Sequence, residues 1–430
     1  MPPIPVADRL KPFGGPSVWL EFSPLSQHMK SCNLGQGFPD WQPPAFVKEI
    51  AAEAIVDPKY FQYARSAGQP QLNETISEIY GAMHGRSICP NREVLVTDGA
   101  SEAIYLSLLS FVNPGDEVII IEPFFDIYAG ALGMVGGVPR HCPLRPRDGI
   151  RSSGEYDLDL DELKALLSPK TKAIILNSPH NPTGKVFSRE EYQGIAACLE
   201  PWPEVVVISD EVYEHLVFDG ASHVPFAQID GMADRTLSIY SAGKTFSITG
   251  WKIGWIVGPQ HLMKAVQIAQ QWIVFSVATP LQEVVARALK QGLEPYEGVP
   301  SYYRWLAGLY EKKRDFLCDG LEQANLRVIR PQGSFFIVAE TSGMGLDLKA
   351  PPQEVLDFVE KGQLMVDQNT LDDPSYNFCR HLTVSKGVTP IPITAFMSKE
   401  RKSIGEDFAR FAFCKENHVL LEARNRMVAN

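Results

Sequence analysis

Polar residues that are costly to bury stand at the ends of several short, strongly apolar runs. Lys244 lies in Ser241-Ala-Gly-Lys-Thr-Phe-Ser-Ile-Thr-Gly-Trp-Lys252, just after Thr-Leu-Ser-Ile-Tyr. Asp210 closes Val-Val-Val-Ile-Ser and is followed by Glu211 and Tyr213. Asn177-Ser-Pro-His-Asn181-Pro-Thr-Gly184 follows Lys-Ala-Ile-Ile-Leu, and Thr97-Asp98-Gly99-Ala100-Ser101 follows Val-Leu-Val. Each has a bland reading when taken alone. A lysine is usually solvated, an aspartate after a strand is often a helix N-cap, and glycine-rich turns are common. The small residues at 99–101 would also let backbone N–H groups approach an anion at a helix N-terminus.

The elements that must position these residues follow from the pattern between about Val94 and Gly258. Continuous apolar runs such as Ile-Ile-Ile and Val-Val-Val-Ile are what a sheet buried on both faces requires. They alternate with amphipathic stretches, among them Ser-Glu-Ala-Ile-Tyr-Leu-Ser-Leu-Leu-Ser-Phe-Val and Ser-Arg-Glu-Glu-Tyr-Gln-Gly-Ile-Ala-Ala-Cys-Leu-Glu. Strand alternating with helix predicts an α/β fold with a mainly parallel, doubly wound sheet. Ligands of such sheets bind beyond the carboxyl ends of the strands, where Lys244, Asp210 and Asn181 fall. After about Pro300 a helical stretch, scattered strand candidates and a further short helix predict a smaller α+β domain. The expected division is a Pro- and Gly-rich N-terminal arm over 1–45, extended in form and joining the small domain, a large domain over 46–300 and the small domain over 301–430.

Strand-end lysine, aspartate, asparagine and tyrosine suit one cofactor in particular. Pyridoxal 5'-phosphate needs a lysine amine, an acidic partner for its ring nitrogen, a hydroxyl or amide near its phenolic oxygen and a phosphate cradle. The acidic partner keeps the ring nitrogen protonated, so that the ring can accept the electrons freed when a substrate loses its α-proton. A nucleotide-binding loop is excluded although Gly-Lys-Thr occurs, because Ser238 stands where the loop needs its first glycine. No strand-linked Gly-x-Gly-x-x-Gly for a dinucleotide is found.

At this point the chain resembles the fold-type I, aspartate-aminotransferase superfamily. Within it, the chain is similar to the group of kynurenine aminotransferase I, glutamine transaminase K and cysteine-S-conjugate β-lyase. The carrying segments are NLGQGFPDW from Asn33, QYARSAGQP from Gln62, EVIIIEPFFDIY from Glu117, NSPHNPTGKVFSREE from Asn177, SDEVYEHLVFDG from Ser209 and SAGKTFSITGWKIGW from Ser241. PQGSFF from Pro331 and DFARFAFCK from Asp407 continue it. The resemblance implies that Lys244 bonds the cofactor and moves the proton, and that Asp210 pairs with the ring nitrogen. It implies Asn181 and Tyr213 at the phenolic oxygen, Phe125 stacked on the ring, and the phosphate among Gly99, Ala100, Ser101, Ser241 and Lys252. Arg410 would clamp the substrate α-carboxylate as a bidentate fork, helped by Gly35 and Asn181. Tyr63 would reach the phosphate of a neighbouring subunit, making the functional unit a homodimer, and Trp19 and Phe275 would line the side-chain pocket. Two positions depart from the animal enzymes of the group: Ser101 stands in place of a tyrosine, and Ser276 in place of a histidine. Both predict a wider, more polar pocket that favours methionine, glutamine or a thioether conjugate over kynurenine.

The expected substrates are therefore a small-molecule amino acid and a 2-oxo acid. β-Elimination at a C–S bond on the same cofactor is the rival chemistry, and a non-catalytic ligand-sensing module is the rival role. Composition narrows the partners further. The 430 residues carry a formal net charge of -11, which argues against nucleic acid, because phosphate contacts need clustered Lys and Arg. No apolar run approaches the roughly 20 residues of a membrane span. The seven cysteines lie far apart with no Cys-x-x-Cys pair, which fits reduced thiols in the cytoplasm and no metal site.

Overall fold

The computed structural model describes residues 6–429, so the first five residues of the expected arm and the last residue of the expected small domain lie outside it. Eight strands form the main sheet. In spatial order they are Val94–Asp98, Ile253–Val257, Thr236–Ser241, Val206–Asp210, Thr171–Asn177, Glu117–Glu122, Val138–Pro146 and Tyr156–Leu158. The central pairings are parallel. Ile253–Val257 runs against both of its neighbours, and Tyr156–Leu158 runs against Val138–Pro146. Every residue of Val206–Asp210, Thr236–Ser241 and Ile253–Val257 is buried. That continuous burial means both faces of the sheet are covered, as the unbroken apolar runs require.

The helices arise where apolar residues recur at helical spacing. Gly99–Phe111 and Arg189–Leu199 follow the strands that precede them in the chain, the second opened by a Ser188/Glu191 capping box. Tyr302–Gln323 is the longest helix among the described residues, capped by Ser301. Beyond it lies a four-stranded antiparallel sheet of Arg327–Ile329, Phe336–Glu340, Phe408–Ala412 and Ile391–Pro392.

The N-terminal segment corrects one expectation. Residues 18–29 are not extended but form a helix, Val18–Met29, despite Pro24 inside it. A mid-helix proline costs about 3 kcal/mol. Opposing that cost, Val18, Phe22 and Leu25 bury one face, and the buried Glu21 accepts from Arg380 Nε at 2.6 Å and Nη2 at 3.1 Å. Tertiary burial outweighs local propensity here. After this helix, Cys32–Asn33 pairs in parallel with Val388–Thr389, and Leu34 O accepts from Ala412 N. These bonds hold Gly35 beside the antiparallel sheet.

Candidate active site

The strand ends meet on one edge because of register. Asn177 lies opposite Asp210, Asp210 opposite Ile239, and Ser241 opposite Gly254. Ile253–Val257 is reversed, so it begins where its neighbours finish, with Ile253 opposite Asp98. The reversal delivers Lys252 to the edge that carries Asp98, Ser241 and Asp210. Asn177 ties two of these ends together: its Nδ2 donates to Asp210 O at 2.8 Å, and its Oδ1 accepts Asn181 N at 2.7 Å.

A positive seat forms at one end of this edge. Gly99 has φ +73, and a Cβ built there would lie 3.0 Å from Lys252 Nζ. A Cβ on Gly254 would lie 2.8 Å from Ala100 N. Glycine at both positions is thus what lets strand, turn and lysine close around the N-terminus of helix Gly99–Phe111. Among the described residues Lys252 has no carboxylate partner. Glu102 feels its charge, but burial above all pushes that acid up to about 7, with its Oε2 taken by Asp98 N.

The centre of the edge holds an acid and an amine, both perturbed. Burial raises Asp210 to about 6, against the lowering effects of a Tyr128 hydroxyl bond at 2.6 Å, the Val212 N–H and Lys244. Burial also lowers Lys244 to about 8. Its Nζ donates to Gly37 O at 3.3 Å and stands over the Tyr213 and Phe335 rings at 5.6 and 5.1 Å. A group that loses its charge near neutral pH is suited to moving protons. The Tyr213 phenol is driven far above its ordinary value by burial and remains a hydroxyl.

Arg410 closes the other end. It comes from strand Phe408–Ala412, is buried, and lies between the Phe336 and Phe396 rings at 4.1 and 4.7 Å. Its Nη1 donates to Asn181 Oδ1 at 3.0 Å and its Nη2 to Gly35 O at 2.7 Å, while Nε has no partner. Burial lowers it to about 10, so it keeps its charge at neutral pH. No carboxylate of the described residues pairs with it. Trp19 leans over it at 5.8 Å, held by a 2.7 Å bond from Nε1 to Asp126 Oδ2.

One cavity of about 320 Å³ joins these groups. Apart from Tyr63, every residue expected to touch the cofactor lines it, with Trp19 and Arg410; Gly35 contributes through its bond to Arg410. Tyr63 and Phe275 do not line it. Their rings meet edge to face at 5.4 Å on the surface, 81% and 53% exposed. Tyr128, Asn177 and Phe336 line the cavity although sequence reasoning gave them no role. Asn177 carried the same strand-end signal as Asp210. Tyr128 carried only its place three residues after Phe125, on the helix Ile127–Val135.

The donor set fits pyridoxal 5'-phosphate: a glycine turn with a lysine for an anion, a buried carboxylate, a lysine amine, and Phe125 on the cavity wall. Comparison with known proteins agrees. Residues 30–401 match the model of aminotransferase class I and II. The chain is 43% identical over 423 residues to a kynurenine–oxoglutarate transaminase of Dictyostelium discoideum, covering 96% of this chain and 94% of that one. It is 37% identical over 409 residues to kynurenine–oxoglutarate transaminase 1 of Homo sapiens, covering 94% and 93%. Among solved structures it is similar to N-succinyldiaminopimelate aminotransferase from Mycobacterium tuberculosis, with 36% identity, a TM-score of 0.85 and 99% of both chains covered. The methionine aminotransferase YbdL of Escherichia coli is 30% identical with a TM-score of 0.84, covering 99% of this chain and all of that one. The chain belongs to the aminotransferase class I and II family, as a pyridoxal 5'-phosphate-dependent enzyme of amino-group transfer between an amino acid and a 2-oxo acid.

Proposed function

We propose that the cavity binds the cofactor between Lys244 and the Gly99 turn and the substrate against Arg410. When bound, the cofactor supplies a sink for the electrons freed by loss of the substrate's α-proton. Lys244, whose free amine burial lowers to about 8, would hold the cofactor through its nitrogen and, released when the substrate amine takes that place, would carry the α-proton. Asp210 pairs with the ring nitrogen. Asn181 Oδ1 is taken by Arg410, which leaves its amide N–H groups to donate to the phenolic oxygen beside the Tyr213 hydroxyl. Phe125 packs on the ring face. The N–H groups of Gly99, Ala100 and Ser101, with Ser241 and Lys252, receive the phosphate. The single observation that carries the substrate side is Arg410, a buried guanidinium with no carboxylate partner among the described residues. Two of its five N–H donors are in use, and an α-carboxylate takes two of the remaining three as a bidentate fork.

The substrate is an aromatic, sulfur-containing or glutamine/kynurenine-like amino acid, and Ser101 in the cavity wall supports methionine, glutamine or thioethers over kynurenine. The kynurenine–oxoglutarate transaminases and the methionine aminotransferase among the relatives support the same range. We read the functional unit as a homodimer in which Tyr63 and Phe275 serve the partner's cavity. The exposure of Trp272, 80%, beside Phe275 and of Phe61 beside Tyr63 supports this. The division near residues 45 and 300 is part of the same reading, as is a cytoplasmic location, which seven free cysteines support. The test is a panel of amino acids followed by cofactor absorbance in single half-reactions, with and without a 2-oxo acid. Methionine, glutamine or phenylalanine should turn over only when the oxo acid is present, and cysteine S-conjugates should release ammonia and pyruvate as a side reaction. Rapid ammonia release from a thioether with negligible transamination of every amino acid tried would make the enzyme a C–S lyase instead.

A further inference from the structure

We infer that Tyr128 is a positioning residue for Asp210: its hydroxyl holds that carboxylate ionised and oriented, so that Asp210 can keep the cofactor's ring nitrogen protonated. The inference rests on the cofactor assignment above. Tyr128 Oη donates to Asp210 Oδ2 at 2.6 Å, with both residues buried. A phenol has one proton to give, and burial, with the Asp210 charge beside it, drives this one far above its ordinary pKa. It is therefore a fixed donor at every working pH. A donor aimed at a carboxylate oxygen favours the charged form.

Asp210 needs that help. Burial is the largest influence on it and favours the neutral acid; the Tyr128 bond is the largest influence in the other direction. Its other carboxylate oxygen, Oδ1, receives only the Val212 N–H, at 3.4 Å. The remaining titratable groups around it are Lys244, Glu211, Tyr213 and Glu214, and none hydrogen-bonds its carboxylate; Glu214 is held instead by the Tyr80 hydroxyl. Glu211 is turned away: its oxygens accept from Ser209, Ser238 and Tyr240 and meet His223. Tyr128 therefore occupies Oδ2 and leaves Oδ1 with capacity for a further partner. Helix Ile127–Val135 makes the arrangement rigid. Tyr128 sits in its first turn, its backbone N–H bonded to Phe125 O and its ring edge-on to Phe125 at 5.9 Å. One turn of chain thus sets both the aromatic wall and the acid's donor.

The test uses holoenzyme of Tyr128→Phe loaded with cofactor labelled with ¹⁵N at the ring nitrogen, beside Asp210→Asn as reference. Tyr128→Phe should retain cofactor, move the ring ¹⁵N resonance toward the unprotonated position, and lose roughly ten- to hundredfold in kcat with KM little changed, the scale of one hydrogen bond to a charged group. Asp210→Asn should move both further in the same direction. If Tyr128→Phe keeps the parent resonance and kcat while Asp210→Asn loses both, the inference is overturned and the cofactor assignment stands. If Asp210→Asn also changes neither, the cofactor assignment falls and takes this inference with it. Should the phenylalanine variant fail to load cofactor, 3-fluorotyrosine at position 128 keeps the shape and strengthens the donor. The acid limb of the kcat–pH profile should then move to lower pH, and an unmoved limb would overturn the inference.

Discussion

Replacing Arg410 by alanine removes a buried charge with which no carboxylate of the described residues pairs. The guanidinium lies between Phe336 and Phe396 and has spent two donors, on Asn181 and Gly35. Its desolvation is thus endured without a carboxylate, and a substrate carboxylate arriving there meets a cation with donors to spare. Truncating one side of such a buried charged contact costs on the order of 2–5 kcal/mol, which is roughly 30- to 5000-fold in kcat/KM. The loss should be selective. An amino acid and the amine formed by its decarboxylation differ only in the group that Arg410 is proposed to hold. In single-turnover reactions followed by cofactor absorbance, the parent enzyme should prefer the amino acid strongly, and Arg410→Ala should lose most of that preference. The reaction of the amine itself should change little. Because Arg410 also holds Asn181, a small shift in the cofactor's visible band should accompany the substitution, and Arg410→Lys should restore the charge but not the fork. If Arg410→Ala discriminates between amino acid and amine as the parent does, the carboxylate is held elsewhere.

Lys244→Ala should still bind cofactor without a covalent bond, visible as a changed absorbance band, and lose multiple-turnover activity; retention of turnover would remove Lys244 from the reaction. Lys244 lowered by burial to about 8 is neutral and nucleophilic above that pH, so the loading rate of cofactor-free enzyme should rise with pH and level off above about 8. In stopped-flow absorbance, a rate still climbing toward the ordinary lysine range near 10.4 would refute this. The same sign holds for stability. With the folded value depressed, the unfolded chain binds more protons between about 8 and the ordinary value, so Lys244's contribution to stability rises with pH across that window. Glu21→Ala leaves Arg380 buried without its carboxylate and should cost about 3–5 kcal/mol, read as a lowered urea midpoint; an unchanged midpoint would mean that the helix Val18–Met29 does not depend on the pair.

What could be read before folding were features whose cause is local. The apolar runs ending at Asn177, Asp210 and Ser241 identify strands because only buried strands tolerate unbroken β-branched sequence. The polar residue that ends each run must then reach the sheet's edge, since it cannot be buried further without a partner. Lys244, Asp210 and Asn181 were legible for that reason. The proline and glycine content of the first forty residues pointed the other way from Val18–Met29, where packing against Arg380 and the core outweighs Pro24. Contacts across the chain had no local cause. Arg410 meets Gly35 across 375 positions and Asn181 across 229, and Tyr128 meets Asp210 across 82. Those meetings depend on strand order and on the reversal of Ile253–Val257, which brings Lys252 to the Gly99 turn. Hydrophobic periodicity states which face of an element is buried, but not which element lies against it. The tertiary structure therefore decided that Asp210 has a phenol for its donor, that Arg410 pairs with no carboxylate of the described residues, and that Tyr63 and Phe275 stand outside the cavity of their own chain.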